Sequence, residues 1–525
     1  MRRWYGPLVA GVVVWLSYWL YATRLAMLDD ALIHLRYASN LRNLHFITYD
    51  GVNPTFGTSS LLYVAILALL RSFTTSPLLP KILSDVTYLC LIGFVLVLIY
   101  RLGASRPAQI ACAGLLASLI SPMGVRWLTD GMETSLVVLA ASLLALLVHR
   151  EMQRKSAPPG SYVLLCLFGA CLAFLRIELA SLVALASLAI LTARLAVAPN
   201  WKAKARALLG SSHLLLGVLI AMALLHHEFG SLLPDTAVAK AMSGGAHEAL
   251  TAAQETATAA QTVASAFLLG MGSALLWVVS ASFLLRTYLL KRAPVTSIVA
   301  WAFANAPFPL VMLLAISRGQ SLQGIRYFLW CFVFSILWNA LTLNRNELEE
   351  ASSVRQDPLW LRSVVPVCAV FLVCALPFDW LYAQRAMRGR SGTFAAMRSA
   401  GLDIFKGETL VAGDVGFIGY FSGANVCDLS GLVNGREAAR LGPRERAYRC
   451  ASESPAVLFV REDQAKDLSK HIDLRRWVVC QHFDFVNVRS LDRHYLVVPP
   501  QAAGQDCPRM GGPLGKLDDF IPSLD

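Results

Sequence analysis

Apolar residues in this chain come in long unbroken runs. Stretches such as 82–100 (ILSDVTYLCLIGFVLVLIY) and 267–285 (FLLGMGSALLWVVSASFLL) carry at most one charge each. Runs of roughly 18–20 residues match the ~30 Å hydrocarbon core of a bilayer. Backbone polar groups inside lipid must be satisfied within the segment, so such runs are predicted to be helices. Spans fall near 7–23, 82–100, 107–122, 134–149, 161–176, 178–194, 208–226, 263–285, 295–316, 326–343 and 363–382, about eleven in all. The stretch 59–70 (SSLLYVAILALL) is apolar but short, and reads as an interfacial or re-entrant helix.

From 384 onward the pattern changes. Short apolar segments at 409–413, 456–460, 477–481 and 495–498 predict strands, with helices between them at 415–422, 436–441 and 463–470. This is a small α/β unit of about 140 residues. The expectation is a polytopic α-helical membrane protein with a transmembrane module over 1–383 and an extracytoplasmic α/β domain over 384–525. Its long outer loops are 24–81 and 227–262.

Charge fixes the orientation. The formal net charge of +12 suggests nucleic acid until its distribution is read. The tail from 384 holds 19 Lys/Arg against 17 Asp/Glu. The excess sits in short loops between spans: Arg150, Arg154, Lys155; Arg194, Lys202, Lys204, Arg206; Arg286, Lys291, Arg292; Arg345, Arg355, Arg362. With 59–70 not counted as a span, all these loops fall on one side, the positive-inside signature. The N-terminus is then inside, the tail outside, and the partner is the lipid bilayer, with no nucleic acid. Arg2 and Arg3 before the first run resemble a secretion signal, but Tyr21, Arg24 and Met27 stand where a small-residue cleavage site belongs, so an uncleaved first span is expected. Seven of the eleven cysteines lie in or beside apolar runs. Cys427, Cys450, Cys480 and Cys507 lie in the tail, where an outer location permits disulfides in any of three pairings.

The candidate chemistry gathers at the outer ends of the spans. The first outer loop opens with LDDALIHLRYASNL. On a helix, Ile33, Tyr37, Leu41 and Leu44 share one face, as an interfacial amphipathic helix requires, and Asp29, Arg36 and Asn40 form an adjacent stripe. Asp29 or Asp30 serves as a helix cap, or as a carboxylate that takes a proton from an acceptor hydroxyl while a sugar leaves a phosphate; one of the pair can do each. Glu133 (TDGMETS), Arg176 and Glu178 are ionisable residues at membrane boundaries, where such groups are costly and often functional; a local ion pair locking two spans is the alternative. His226, Lys240, Arg326 and Arg36 supply cations for a phosphate leaving group, with headgroup snorkelling the alternative for Lys240 and Arg326. Asp414 and Tyr420 lie in a glycine-rich tail segment as supporting residues. No Cys/His/Asp cluster has metal-ligand spacing, so no metal and no cofactor are expected.

The order of LDDALIHLRYASNL, YDGVNPTFGTSSLL, TDGMETSL, LRIEL, GSLLPDTAVAK, GIRYFL and GDVGFIGYFSGANVCDLSGLVN resembles the arabinofuranosyltransferase-like branch of the GT-C glycosyltransferases, over about residues 1–440. That resemblance implies a polyprenyl-phosphate sugar donor, transfer to a glycan or protein acceptor on the outer face of the bacterial cytoplasmic membrane, and a carboxylate in the first outer loop as the catalytic group. Here that carboxylate is Asp29 first and Asp30 second. NPTFGTSSLL lacks the acidic residue and Trp of the family pattern, and LRIEL has Ile177 in place of Pro; these departures bear on the sugar and the acceptor. The rival readings are the same reaction with a hexose or mannose, a flippase or transporter of lipid-linked sugars, and a non-catalytic assembly subunit with a binding tail. Against the transporter, no internal repeat is visible.

Overall fold

The computed structural model describes residues 2–102, 106–153, 159–244, 273–290, 295–307, 309–310, 325–350, 359–486, 491–510 and 512–521. Helices α1 (Arg2–Ala22), α4 (Leu79–Arg101), α5 (Arg106–Ile120), α7 (Thr134–Gln153), α8 (Pro159–Leu175), α9 (Leu179–Val197) and α10 (Trp201–Phe229) overlie the first seven predicted spans. Helices Ser273–Leu290, Val295–Asn305, Ile325–Glu350 and Leu359–Ser399 overlie the remaining four. Among the described residues, five helices are long and apolar enough to cross a membrane. A sixth counts if α5 and α6 (Pro122–Leu128), bent by 70° at Ser121, form one broken span. Pro122 explains the break, because it sits at the first position of α6 where its missing N–H costs nothing. This is a multi-pass membrane protein.

The stretch predicted to be interfacial or re-entrant is a ten-residue helix, α3 (Leu61–Leu70). At 1.5 Å per residue it rises about 15 Å, half the hydrocarbon thickness. Before it, α2 (Asp29–Leu44) follows the first span. Of the predicted apolar face, Ile33 and Tyr37 are buried, but Leu44 is 42% exposed. Ala31, Leu32, His34, Leu35 and Ala38 are buried as well. So α2 is enclosed on several sides, unlike an amphipathic helix lying on an interface. The last long helix crosses the expected 383/384 boundary without a break and carries the chain to Ser399.

The tail forms a six-stranded sheet of order β2-β1-β3-β5-β4-β6. Strands β1 (Thr409–Ala412), β2 (Asn425–Asp428) and β3 (Val457–Val460) run parallel; β4 (Val478–Val486), β5 (Leu491–Val498) and β6 (Gly515–Lys516) complete it antiparallel. β1 and β3–β5 match the predicted strands. β2 and the helix Pro443–Ser452 have no counterpart in the pattern. Four residues in a glycine-rich run give β2 no readable period. Two disulfides pair the four tail cysteines, Cys427–Cys450 and Cys480–Cys507.

Candidate active site

Of the Asp29/Arg36/Asn40 stripe, Asp29 and Arg36 meet the tail domain, while Asn40 donates to Thr48 O and Tyr49 O of its own loop. The Asp29 carboxylate accepts the backbone N–H groups of Gly416 (2.7 Å) and Phe417 (2.6 Å), at the start of the tail helix Gly416–Ser422. Asp29 therefore caps a helix, but a helix of the tail; the N-cap of its own helix is Leu28, which makes no side-chain bond. Gly416 is required by this closeness, because a Cβ there would run into the Asp29 backbone. Tyr49 Oη donates to Val415 O at 2.6 Å, closing the same seam.

A second carboxylate is brought in by the tail. Asp414 lies two residues before Gly416 and pairs with His494 Nε2 at 2.5 Å. His494 is buried on β5, stacked against Phe459 with ring centroids 5.0 Å apart. Burial pushes the Asp29 carboxyl up, and the nearby Asp414 and Asp30 charges add to the push, so that it reaches about 8 despite its two N–H donors. Burial works to raise Asp414 as well, but the His494 hydrogen bond and charge, with help from Arg461, override it and hold Asp414 below the usual carboxylate range. Three of the predicted residues, Asp29, Asp30 and Asp414, thus form one electrostatic cluster. His494 is a member that the sequence did not reveal, since a lone histidine 80 positions from its partner carries no spacing signal.

Two arginines are linked to the start of α2 through the turn after α6. The turn after α6 binds the start of α2, with Leu28 N donating to Asp130 O at 2.9 Å. The Asp130 carboxylate draws Arg390 of the last helix, Nη1 to Oδ2 3.9 Å. Arg390 lies 5.8 Å from the Trp127 ring, and buried Arg126 lies 4.4 Å from the same ring and 5.1 Å from Tyr382. Neither arginine was singled out in the sequence, although Arg126 stands in PMGVRWLTDG, directly before the quoted TDGMETSL.

Glu133 and Arg176 join His34 in a buried chain against α2, and the exposed Glu178 closes its outer end. His34 Nε2 lies 3.4 Å from Glu133, whose other oxygen meets Arg176 at 3.2 Å. Arg176 in turn grips Glu178 with two nitrogens, at 2.9 and 3.3 Å. Thr58 Oγ1 meets His34 Nδ1 at 2.8 Å, which ties in the loop before α3. This is the ion-pair alternative with His34 added. On the opposite side of α2, Arg36 was expected to face phosphate. Its three nitrogens instead donate to Tyr49 O (2.9 Å), Gly419 O (2.5 Å) and Ala424 O (2.7 Å), with the guanidinium 4.3 Å from the Tyr49 ring. It clamps loop to tail because planar forked donors suit several fixed carbonyls. Tyr420 Oη accepts from Arg71 at 3.2 Å, on the same seam. His226 is exposed in the last turn of α10, away from these contacts. Lys240 falls in α11 (Asp235–Gly244) and Arg326 in the helix Ile325–Glu350, and both side chains lie outside the described residues. Among the described residues, no group of three or more His, Cys, Asp or Glu is placed to hold a metal ion.

The family described as Domain of unknown function (DUF8728) matches residues 383–500. No curated protein matches the sequence. Among solved structures, ArnT from Cupriavidus metallidurans, bound to undecaprenyl phosphate, aligns at a TM-score of 0.53 and 15% identity, over 94% of this chain and 98% of that one. The archaeal oligosaccharyltransferase AglB from Archaeoglobus fulgidus aligns at 0.46 and 12% identity, over 92% and 74%. The likeness to ArnT along nearly the whole of both chains shows the fold: this chain is GT-C-like, a polytopic helical membrane module with a small C-terminal α/β domain.

Proposed function

We propose that the protein transfers a sugar, arabinofuranose, from a polyprenyl-phosphate donor to an acceptor hydroxyl at the outer face of the membrane. The observation that carries this reading is the half-buried Asp29 carboxylate at the seam of first loop and tail, with Asp414 and His494 on one side, and with Arg390 held by Asp130, whose backbone accepts from Leu28 at the start of α2, and Arg126 against the same Trp127 ring as Arg390. The undecaprenyl phosphate on ArnT supports a donor of the same class.

In this reaction the acceptor oxygen bonds to the anomeric carbon as the carbon–oxygen bond to phosphate breaks. The hydroxyl proton passes to Asp29, and polyprenyl phosphate leaves with the electron pair. General-base help is worth typically 10²–10⁴-fold, and works best when the base has a pKa near the working pH. An Asp29 carboxyl near 8 fits that role far better than an ordinary aspartate near 3.8. Growing negative charge on the phosphate is offset by fixed cations, the role assigned to Arg126 and Arg390.

The test uses purified protein in nanodiscs with polyprenyl-phospho-arabinofuranose. Asp29→Asn is expected to bind donor as wild type does and to lose transfer by at least 100-fold. Transfer at the wild-type rate would move the base to another carboxylate. Lipids from cells lacking the protein should accumulate the donor, and the sugar on that lipid decides between arabinofuranose and a hexose.

A further inference from the structure

A cleft of about 450 Å³ opens where the first outer loop meets the tail, within the usual size range of ligand sites. Asp50 and Asn53 line it from the loop, and Arg436, Glu437, Arg449 and Glu453 from the tail. The loop is stiffened by its own turn, since Asp50 Oδ1 accepts from Val52 N, Asn53 N and Thr48 Oγ1. Arg436 is anchored by donating to Leu233 O at 2.9 Å. The two walls meet at Thr55 and Gly435: a Cβ on Gly435, whose φ is +83°, would stand 3.6 Å from the Thr55 methyl.

We infer that this cleft binds the acceptor, and that the acceptor is an uncharged oligosaccharide. The inference rests on the transferase reading above and names its second substrate. Three carboxylates outnumber two guanidiniums, one of which, Arg436, also lies 3.6 Å from Asp235, so the cleft is net acidic and disfavours a phosphate-rich or polyanionic chain. Together with the amide of Asn53 they offer the mixed donors and acceptors that neighbouring hydroxyls need. Val52, 72% exposed on the cleft wall, gives a small apolar surface for the C–H face of a sugar ring.

A peptide fits poorly. The cleft offers no deep apolar pocket for the aromatic or aliphatic anchor that usually dominates protein recognition. Strand β2 is an edge strand beside the cleft, which could invite strand addition. Its edge is already occupied: Asn434 accepts from Asp428 N and donates to Val426 O at 2.7 Å, so one side-chain amide takes the place of a pairing strand.

Position fits as well. Asp29 meets the tail at Gly416, and Arg36, seven residues further along α2, meets it at Ala424, next to the cleft residue Asn425. Seven residues of helix rise about 10 Å. The cleft thus lies beyond the Arg36 end of that rise, so an acceptor that fills it and also reaches Asp29 is an oligomer whose far units occupy the cleft.

The full chain in nanodiscs is tested against an array of neutral and anionic oligosaccharides and unstructured peptides. Neutral oligosaccharides are expected to bind. Glu437→Ala combined with Arg449→Ala, and separately Asn53→Trp, which plugs the opening from an exposed position, should each weaken that binding at least tenfold. Undecaprenyl phosphate binding should be unchanged in both. Absence of neutral glycan binding, preference for peptides or anionic glycans, or unaltered binding in both variants overturns the inference. Donor cleavage by the wild-type protein is measured in parallel. Its absence would sink the transferase reading, while glycan binding reports on the cleft by itself.

Discussion

Asp29 and Gly416 lie 387 positions apart, and a 2.7 Å hydrogen bond from the Gly416 amide to the Asp29 carboxylate joins them. The loop after the first span and the tail thus share one seam, and the residue proposed for the chemistry is also the residue that docks the tail. Loss of activity in an Asp29 variant can therefore come from lost chemistry or lost docking, and the two must be separated.

Gly416→Ala separates them. It leaves the carboxylate chemically intact but presses a methyl group into the Asp29 backbone. Overpacking of this kind costs typically about 1–3 kcal/mol. The variant should melt at a lower temperature and transfer more slowly, with donor affinity unchanged. Wild-type melting and transfer together would mean that the seam yields without consequence.

The pH dependence follows from the same cluster. The Asp29 carboxyl is raised from 3.8 to about 8, so the fold favours its protonated form. Its contribution to stability is complete below about pH 3.8 and is lost as pH rises through about 8. In the proposed reaction transfer needs the carboxylate, so its rate should climb over that upper limb while thermal stability declines. Asp414→Asn removes a neighbouring negative charge, and should move the midpoint of the rate profile to lower pH. A midpoint that stays fixed, or moves up, would show that Asp414 does not act on Asp29.

The membrane module was readable because its signal is redundant. Each apolar run predicts one helix by itself, and each predicted span overlaps a helix in its described residues, with 263–272 and 311–316 of two spans lying outside them. The ten-residue α3 was separable by length alone. The site was only half readable. Asp29 and Asp30 stood out as carboxylates at the end of the first span and Asp414 in a glycine-rich tail segment, but which of them meet is set by how the tail folds back onto α2. His494 gains its meaning only from that docking, and Arg126 and Arg390 only from the packing of the last helix against the turn after α6. Arg36 shows the converse: its place on the stripe was right, yet helical projection gives no hint that three carbonyls await it.

Arg36→Ala should therefore act on stability. Hydrogen bonds to charged groups contribute roughly 1.5–3 kcal/mol each and are not additive, so a loss of about 3 kcal/mol is expected. Lysine should not restore it, because a single ammonium cannot reach three carbonyls fixed by a planar fork. Donor affinity in the folded fraction should match wild type. A selective loss of donor binding would return Arg36 to the phosphate.

The Glu133–Arg176 pair gives a sharper contrast. Both side chains are almost fully buried. Breaking one side of a buried pair costs about 3–5 kcal/mol, whereas replacing both with apolar groups is often neutral. Arg176→Met should be strongly destabilised, and adding Glu133→Leu should recover most of the loss. Recovery of melting temperature with transfer intact would assign the pair to structure; recovery without transfer would give Glu133 a part in the reaction.

Topology supplies the last prediction. If the basic loops lie inside, the tail is outside, where its four cysteines can remain paired as Cys427–Cys450 and Cys480–Cys507. A reporter after Arg390 is a poor probe of this, because Arg390 lies inside the helix Leu359–Ser399 and contacts Asp130. A fusion after Ile521 leaves the folded tail whole, and should be active only as an exported reporter. One inserted after Asn200, at the basic loop before α10, should be active only in the cytoplasm. In intact cells the tail cysteines should resist an impermeant maleimide until a reductant is added outside, and then react. The opposite reporter pattern, with the tail thiols reactive only after lysis, would reverse the orientation and place the Asp29 seam on the cytoplasmic face.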